Sequence, residues 1–354
     1  SDTVARFGGD EFVALIEEIE TAGDVANVAQ KLLDVARRPV IIDGEACALS
    51  ASIGVSLYPE DGADQATLLK NADIAVYRAK DQGRDNYAFH SADMNDHLVR
   101  RLAVEGGLKM ALEREEFLLH YQPRVDLASG RVTGMEALIR WQHPQLGLVA
   151  PGQFIGQAEE SGHIVAIGNW VLRRACLDAR SFVREGAPAM AVSVNLSARQ
   201  FEDTHLVRAI ERALAESGLA PGLLELEITE SMMMRDQAAA LKTLRDFKAM
   251  GIRLALDDFG TGYSSLASIK QFPLDCIKID RSFVKDIPQN ADDEALARAI
   301  IAMGHSLRLV VVAEGVERPE QLRWLVDHQC DEYQGYLFHK PAPIADIRAL
   351  LERA

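Results

Sequence analysis

The sequence predicts a (β/α)8 barrel of the TIM type, and three observations support this fold. Seven apolar segments rich in Val, Ile and Leu alternate with helical patterns, as expected for parallel strands that are covered by helices. A polar or charged residue lies near the C-terminal end of each segment. These residues follow one another at intervals of 20 to 36 residues after a first interval of 59, close to the roughly 30 residues of a strand-helix-strand unit. A barrel active site needs such side chains, because it is assembled from the C-terminal ends of many strands.

The predicted strands alternate with recognisable helices. In chain order the strands are GMEALIRW, AVSVNLS, LLELEIT, IRLALDDFG, CIKID, LVVVAEGV and DEYQGYLF. Their polar residues, in the same order, are Glu136, Asn195, Glu227, Asp257, Lys278, Glu314 and Gln334. Asp236 to Met250 carries apolar residues at helical spacing and stops before Gly251, and Glu294 to Leu309 shows the same spacing. This alternation favours a parallel barrel over a sandwich.

Side-chain alternation along the strands predicts which residues face the barrel axis. Residues two apart share a face, which pairs Glu225 with Glu227, Ala255 with Asp257, Cys276 with Lys278 and Val312 with Glu314. Asp257 and Asp258 are neighbours and point apart within a strand, so both reach one site only if the strand ends there. We expect Gly260 and Gly262 to supply that turn.

A carboxylate after a strand also has a simpler explanation. One such residue is most often a helix N-cap or a turn residue, and Asp258 or Glu230 taken alone fits that description. The simpler explanation does not account for charged residues at so many consecutive strand ends, because burying unpaired charge at each would be costly. A shared site is therefore favoured.

The residue types in this site indicate metal chemistry. Carboxylates and an amide, without His or Cys, form an oxygen ligand set that suits Mg²⁺ or Mn²⁺ rather than zinc. Two ions about 3.5 to 4 Å apart need a bridging carboxylate, and Asp257 beside Asp258 fits that role. Lys278 pairs with carboxylates or positions a water molecule, and Glu314 ligates metal or accepts the water's proton. The alternative for both residues is a buried ion pair.

The same residues resemble the EAL-domain cyclic di-GMP phosphodiesterases over Leu108 to Ala354. The matching motifs are HYQPRVDL, EALIRW, NLS, EITES, DDFGTGYSSL, KID, AEGVE and QGY, in this order. The resemblance implies hydrolysis of cyclic di-GMP to linear pGpG, a step in bacterial second-messenger signalling. No motif carboxylate is replaced, which favours a working enzyme over a receptor that binds without cleaving.

The resemblance also implies roles for individual residues. The implied ligands of two Mg²⁺ or Mn²⁺ ions are Glu136, Asn195, Glu227, Asp257 and Asp258. The implied catalytic residues are Glu314, Lys278 and Glu136, and the implied substrate-binding residues are Gln122, Arg140, Gln334 and Glu317. Glu230 is implied to anchor the loop from Asp257 to Leu266, which links catalysis to the contacts of a homodimer.

Charge arguments agree with these implied roles. Arg140 presents a planar fork that suits a phosphate better than Lys does, although a salt bridge to a nearby carboxylate is the alternative. The formal net charge of -15 repels an anionic dinucleotide. Divalent cations in the carboxylate cluster would offset that repulsion, so we expect metal to be part of the binding site.

The N-terminal segment has a different signature. Residues 8–12 read GGDEF, and with SIGVSLYP and ADIAVYRAKDQGRDNY downstream they resemble the second half of a GGDEF diguanylate cyclase domain. A Gly-Gly turn alone indicates only a hairpin. The resemblance implies that a cyclase also needs residues from the first half, so we predict no cyclase activity in this chain. Asp10 and Glu11 bind metal or form a solvated turn, and a partial α/β domain is expected to expose apolar surface.

These readings give a domain plan and a set of partners. We expect a partial GGDEF domain over residues 1–90, a helical linker over 91–107 and an EAL domain over 108–354. Four scattered cysteines without metal-ligand spacing, and the lack of a signal peptide or a membrane-spanning apolar run, indicate a cytoplasmic segment without membrane contact. Sensor domains or a membrane anchor upstream in the parent protein are compatible with this expectation. The acidic balance argues against duplex nucleic acid as a partner.

Two alternatives to the phosphodiesterase remain. The chain is a non-catalytic cyclic di-GMP receptor, or it is a different acid-rich barrel of the enolase type that abstracts protons beside a carboxylate. Metal-independent binding without product would favour the first. Failure to bind any cyclic dinucleotide would favour the second.

Overall fold

The computed structural model describes residues 2–17, 19, 22–38, 40–42, 45–47, 49–91, 103–184, 190–260 and 269–352. The chain forms two compact units, Ser1–Ala103 and Val104–Ala354. Most of the predicted linker, residues 92–102, lies outside the described residues. No helix among the described residues combines the length and the apolar composition needed to cross a bilayer.

The first unit contains short strand pairs and two helices. Its elements are β1 (Thr3–Gly8), β2 (Glu11–Leu15), α1 (Ala22–Ala36), β3 (Val40–Ile42), β4 (Glu45–Cys47), β5 (Ile53–Val55), α2 (Gln65–Asp81) and β6 (Tyr87–Phe89). The Gly-Gly signal marks a hairpin, in which β1 and β2 pair antiparallel and Gly9 has a φ of 51°. Val25, Ala29 and Val55 form a small core. The hairpin exposes the apolar side chains that a partial domain is expected to leave uncovered: Val4, Phe7, Phe12 and Leu15.

The second unit is an eight-stranded barrel. Its strands are β7 (Phe117–Asp126), β8 (Val132–His143), β10 (Ala191–Asn195), β11 (Leu224–Thr229), β12 (Arg253–Phe259), β13 (Cys276–Ile279), β14 (Val310–Ala313) and β15 (Glu332–Tyr333). They pair in that order, and β15 returns to β7 to close the sheet. Two short outer strands, β9 (Gly147–Val149) and β16 (Ala342–Pro343), add to β8 and β7. The predicted barrel is confirmed.

One strand departs from the predicted parallel arrangement. β7 runs antiparallel to both β8 and β15, whereas the other barrel strands pair in parallel. A turn rather than a helix joins β7 to β8, because the Asp126 side chain accepts hydrogen bonds from the Ser129 backbone N–H at 2.7 Å and the Ser129 hydroxyl at 2.6 Å. A connection this short can only reverse the chain.

Helices cover the outside of the barrel. They are α3 (residues 103–111), α4 (Ile155–Ser161), α5 (Ile164–Arg184), α6 (Ala198–Phe201), α7 (Leu206–Ser217), α8 (Glu230–Arg235), α9 (Gln237–Ala249), α10 (Arg281–Val284), α11 (Ala291–Ser306), α12 (Pro319–Asp327) and α13 (Ile344–Leu351), with 3-10 turns at Pro151–Gln153 and Pro221–Leu223. The predicted helix at α9 is confirmed, with Gly251 at a φ of 87° beyond its end. The predicted bounds of α11 were three residues too late, because the Asn290 side chain caps its start and the chain turns away after Ser306.

The interior of the barrel confirms the predicted alternation. Ala255, Cys276 and Val312 form a small apolar cluster inside the sheet, separate from the main core between sheet and helices. Their strand neighbours two residues on are the charged residues of the C-terminal end. Toward the other end, Arg124 pairs with Glu225 at 2.6 Å and with Glu332 at 2.7 Å.

Candidate active site

Lys278 lies at the centre of a carboxylate cluster at the C-terminal end of the barrel. Its Nζ is 2.5 Å from Glu314 Oε1, 2.7 Å from Glu227 Oε2, 3.3 Å from Asp257 Oδ1 and 3.8 Å from Glu136 Oε2. The five residues come from β8, β11, β12, β13 and the residue that follows β14. The structure therefore brings together side chains that lie up to 178 residues apart in the sequence.

Two amide side chains donate to the Glu136 carboxylate, and a third amide contacts one of them. Asn195 Nδ2 donates to Glu136 Oε1 at 2.7 Å, and Gln334 Nε2 donates to Oε2 at 2.6 Å. Gln334 Nε2 also donates to Gln122 Oε1 at 3.0 Å, and Gln122 Nε2 donates to the His339 carbonyl at 3.0 Å. Both oxygens of Glu136 are thus oriented, which fixes its direction within the cluster.

Asp258 lies in an irregular part of β12, near the end of that strand. β12 ends at Phe259, one residue beyond the two aspartates, and Gly260 follows in a turn with a φ of 99°, as expected for this glycine. The pairing of β12 with β13 shifts between Leu256 and Phe259, and Asp258 has a φ of 53° in the left-handed region. The Asp258 side chain is exposed, whereas Asp257 is buried, and the two are close enough for their charges to interact. Gly262 lies outside the described residues.

The cluster holds more negative charge than its lysine neutralises. Burial, with the charge of Glu136 second, raises the pKa of Glu227 well above its usual range. Burial also raises the pKa of Glu314 to about 8, against the lowering effect of Lys278. Burial and the charge of Asp257 raise the pKa of Asp258. Carboxyl groups that resist ionisation in this way indicate a shortage of positive charge.

For Glu136 and Lys278, the neighbouring groups outweigh burial in their effect on the pKa. Burial opposes the ionisation of Glu136, but the Lys278 ammonium and the amides of Gln334 and Asn195 outweigh it and lower its pKa. Burial likewise opposes the charge on Lys278, but the surrounding carboxylates raise its pKa well above its usual value. The surroundings of both residues therefore favour their charged forms.

A cleft of about 200 Å³ opens over the cluster. It is lined by Gln122, Glu136, Leu138, Asp257, Lys278, Arg281, Glu314, Gly315, Glu317, Gln334, Gly335 and Tyr336. Seven of these were expected from the sequence. Arg281, Leu138 and Tyr336 were not, although a cation directly after KID and an aromatic residue directly after QG were available signals.

Five residues with expected roles lie outside this lining: Asn195, Glu227, Asp258, Arg140 and Glu230. Arg140 is half-buried and donates to the Ile139 carbonyl at 2.8 Å, and none of the ion pairs among the described residues includes it. Glu230 is buried at the start of α8. Most of the loop that Glu230 was expected to anchor, residues 261–268, lies outside the described residues.

The donor set of the cluster fits a hard divalent cation. It consists of carboxylate and amide oxygens, and Asp257 Oδ1 is buried without a hydrogen bond, 3.3 Å from Lys278 Nζ. Within the described residues, no three His, Cys, Asp or Glu side chains already converge on one metal position. The carboxylates converge on Lys278 instead.

Comparison with known proteins places the chain in a family. Residues 106–341 match the model of the EAL domain, and residues 1–86 match that of the diguanylate cyclase, GGDEF domain. Two Pseudomonas aeruginosa proteins are similar over nearly the whole chain. They are the bifunctional diguanylate cyclase/cyclic di-GMP phosphodiesterase MucR (46% identity, 98% of this chain, 51% of MucR) and the cyclic di-GMP phosphodiesterase NbdA (44% identity, 99% of this chain, 45% of NbdA).

A solved structure is also similar. The PaMucR phosphodiesterase in complex with c-di-GMP shares 45% identity, covers 69% of this chain and 99% of its own, and superposes with a TM-score of 0.67. The chain spans about half the length of the curated relatives it matches. The matched region contains the barrel, the carboxylate cluster and Lys278. The chain belongs to the EAL-domain family, with a GGDEF-domain match ahead of the EAL domain.

Proposed function

We propose that this chain hydrolyses one phosphodiester bond of cyclic di-GMP and releases linear pGpG. The observation that carries the proposal is the complete set of four carboxylates around Lys278 at the C-terminal end of the barrel: Glu136, Glu227, Asp257 and Glu314. Relatives that share this region carry the name cyclic di-GMP phosphodiesterase. An inert receptor would not need so many buried charges, which are costly to maintain.

The proposed cofactors are two Mg²⁺ or Mn²⁺ ions. Their ligands are the oxygen donors described above: Glu136, Asn195, Glu227, Asp257 and Asp258. When bound, the ions supply charge neutralisation at the phosphate and lower the pKa of a water molecule. The excess of carboxylates over one ammonium, and the buried Asp257 Oδ1 that lacks a hydrogen bond, support this assignment.

Glu314 and Lys278 handle the proton and the developing charge. A carboxylate that resists protonation too strongly is a poor base, and the burial that raises the pKa of Glu314 improves it as a proton acceptor near neutral pH. Water attacks phosphorus, its proton passes to Glu314, and the bond from phosphorus to the 3′ oxygen breaks. The 3′ oxygen takes up a proton, which leaves one 3′ hydroxyl and one 5′ phosphate. Lys278 stabilises the negative charge that grows on the phosphate oxygens.

The substrate is held at the mouth of the barrel. Gln122, Gln334 and Glu317 line the cleft, and Arg140 reaches a phosphate after leaving the Ile139 carbonyl. Glu230 anchors the loop that follows Asp258 and connects the site to a homodimer contact. The chain acts in the cytoplasm.

The test is incubation of the purified chain with cyclic di-GMP and Mg²⁺ or Mn²⁺, with products followed by chromatography. Metal-dependent appearance of pGpG that EDTA abolishes is the expected result. Binding of cyclic di-GMP without product would contradict the proposal and assign a receptor. Absence of binding to any cyclic dinucleotide would point to a different acid-rich barrel.

A further inference from the structure

Arg281 and Glu317 form an ion pair at the mouth of the cleft. Arg281 Nη2 lies 2.9 Å from Glu317 Oε1, and the two side chains are 56% and 40% exposed. Both line the cleft that opens over Lys278. An exposed pair of this kind contributes little to stability, so a role in stability alone does not explain it.

The backbone of Gly315 supports the arginine. Gly315 has a φ of 66°, and a Cβ added there would lie 2.3 Å from Arg281 Cγ and 2.8 Å from its Cβ. The aliphatic part of Arg281 therefore packs directly on the peptide that follows Glu314. This contact directs the guanidinium along the rim of the cleft toward Glu317.

A buried glutamine fixes the other half of the pair. Gln321 is 2% exposed, and its Oε1 accepts from the backbone N–H groups of Glu317 and Arg318, both at 2.8 Å. Its Nε2 donates to the carbonyls of Val284 at 2.9 Å and Lys285 at 3.0 Å, at the end of the helix that Arg281 begins. Gln321 thus joins the two segments that carry the ion pair and holds them in register.

The pair presents hydrogen-bond donors and acceptors side by side. A guanidinium offers only N–H donors, and a carboxylate offers only acceptors. Guanine carries its O6 acceptor beside N–H donors, including the exocyclic amine, whereas adenine carries an N–H donor at the position of O6. Guanine therefore fits this pair, because its O6 can accept from Arg281 while its N–H groups donate to Glu317. Adenine does not fit, because its amino group would face the N–H donors of Arg281.

We propose that Arg281 is a specificity-determining residue that selects guanine over adenine, by donating to the base and by holding Glu317 in position to accept from it. The inference rests on the proposed function and names the part of the substrate that this rim reads. Arg281 acts on the nucleobase rather than on the phosphate, and it does not take part in bond cleavage.

The test compares steady-state hydrolysis of cyclic di-GMP by the wild type and Arg281→Ala, with cyclic di-AMP as a competitive inhibitor. We expect KM to rise about tenfold or more, which corresponds to the loss of a hydrogen bond to a charged group. The loss in kcat should be smaller than the rise in KM. The inhibition constant of cyclic di-AMP should change little, so selectivity for guanine falls. Arg281→Lys should restore part of the affinity.

A double-mutant cycle and a matched control complete the experiment. Glu317→Gln should raise KM, and combining it with Arg281→Ala should add much less than the two separate effects, because the residues act as a unit. Arg298→Ala removes a charge from an exposed position on α11 outside the cleft and should behave as wild type.

Three outcomes would overturn the inference. If Arg281→Ala weakened the binding of cyclic di-GMP and of cyclic di-AMP equally, Arg281 would contact the phosphate that both ligands share. Additive effects of Arg281→Ala and Glu317→Gln would mean that the pair does not act as a unit. A loss confined to kcat would mean a role in the chemical step. Absence of hydrolysis by the wild type would instead contradict the proposed function, which keeps the two failures distinct.

Discussion

Lys278 Nζ lies 2.7 Å from Glu227 Oε2, and both side chains are about 1% exposed. The pair is the most enclosed contact of the carboxylate cluster. Glu314, at 2.5 Å from the same Nζ, is more exposed, at 19%. The aliphatic part of Lys278 therefore lies in the barrel interior. Its ammonium group lies at the floor of the cleft, where it contacts several carboxylates.

Replacing Lys278 by Met should abolish hydrolysis and weaken the fold. Removing one partner from a buried ion pair costs about 3 to 5 kcal/mol because the other charge stays buried. We expect the free energy of unfolding of the metal-free protein to fall by about this amount, and kcat to fall at least about a hundredfold. Urea denaturation and product assays measure the two effects. Lys242→Met, at an exposed position of α9, is the control; wild-type kcat in Lys278→Met would refute the assigned role.

Replacing Glu136 by Gln should separate metal binding from folding. The amide keeps the shape of the side chain but removes the charge that Asn195 and Gln334 orient. We expect affinity for Mn²⁺ to fall at least about tenfold, since oxygen-ligand affinity depends on ligand charge. Calorimetric titration with Mn²⁺ measures the change, and Glu211→Gln on the exposed face of α7 provides the comparison. Unchanged Mn²⁺ affinity would exclude Glu136 as a ligand.

The metal-free protein should lose stability as the pH rises from about 4.5 to about 8. The folded-state pKa of Glu314 is raised from 4.5 to about 8, and that of Glu227 is also raised, so the folded protein binds more protons than the unfolded chain in this range. By linkage, the free energy of unfolding then decreases with increasing pH. Thermal melting in EDTA at several pH values tests this, and added Mg²⁺ should flatten the dependence. A stability that increases over the same range in EDTA would contradict the prediction.

Replacing Arg124 by Met should destabilise the barrel without acting on the site. Arg124 is 3% exposed and pairs with Glu225 and Glu332 toward the end of the barrel opposite the cleft. We expect a loss of about 3 kcal/mol, because Glu332 and Glu225 lose their nearest cation, while Arg253 stays 3.4 Å from Glu225. Combining Arg124→Met with Glu225→Gln should recover part of the lost free energy of unfolding. Arg131→Met, on the exposed turn after β7, is the control and should leave urea denaturation unchanged. If Arg124→Met had as little effect, the ion pairs of Arg124 would contribute nothing to stability.

Several features of the site were accessible from the sequence because they depend on local rules. The strand-helix repeat identifies the barrel, and alternation along each strand identifies which carboxylates share its interior. This reasoning correctly grouped Glu136, Glu227, Asp257, Lys278 and Glu314. It also placed Ala255, Cys276 and Val312 on the inner face, where the structure has them.

Other features escaped because they depend on partners far away in the sequence or on backbone geometry. The reversed direction of β7 follows from a turn that has no helical pattern to mark it. The left-handed backbone of Asp258 arises where β12 meets β13, so a local pattern could not show it. Arg281 becomes a cleft residue only because Gly315 and Gln321, more than 30 residues later, hold its neighbourhood.

The sequence by itself determined the fold class, the carboxylates of the cluster and the lysine among them, because strand period, residue chemistry and motif order are all properties of the linear chain. Only the tertiary structure decided that the carboxylates converge on one ammonium, that Arg140 rests on the Ile139 carbonyl and that Arg281 pairs with Glu317. These are distances between residues on different strands and loops. They are fixed by the closure of the barrel, which no single segment encodes.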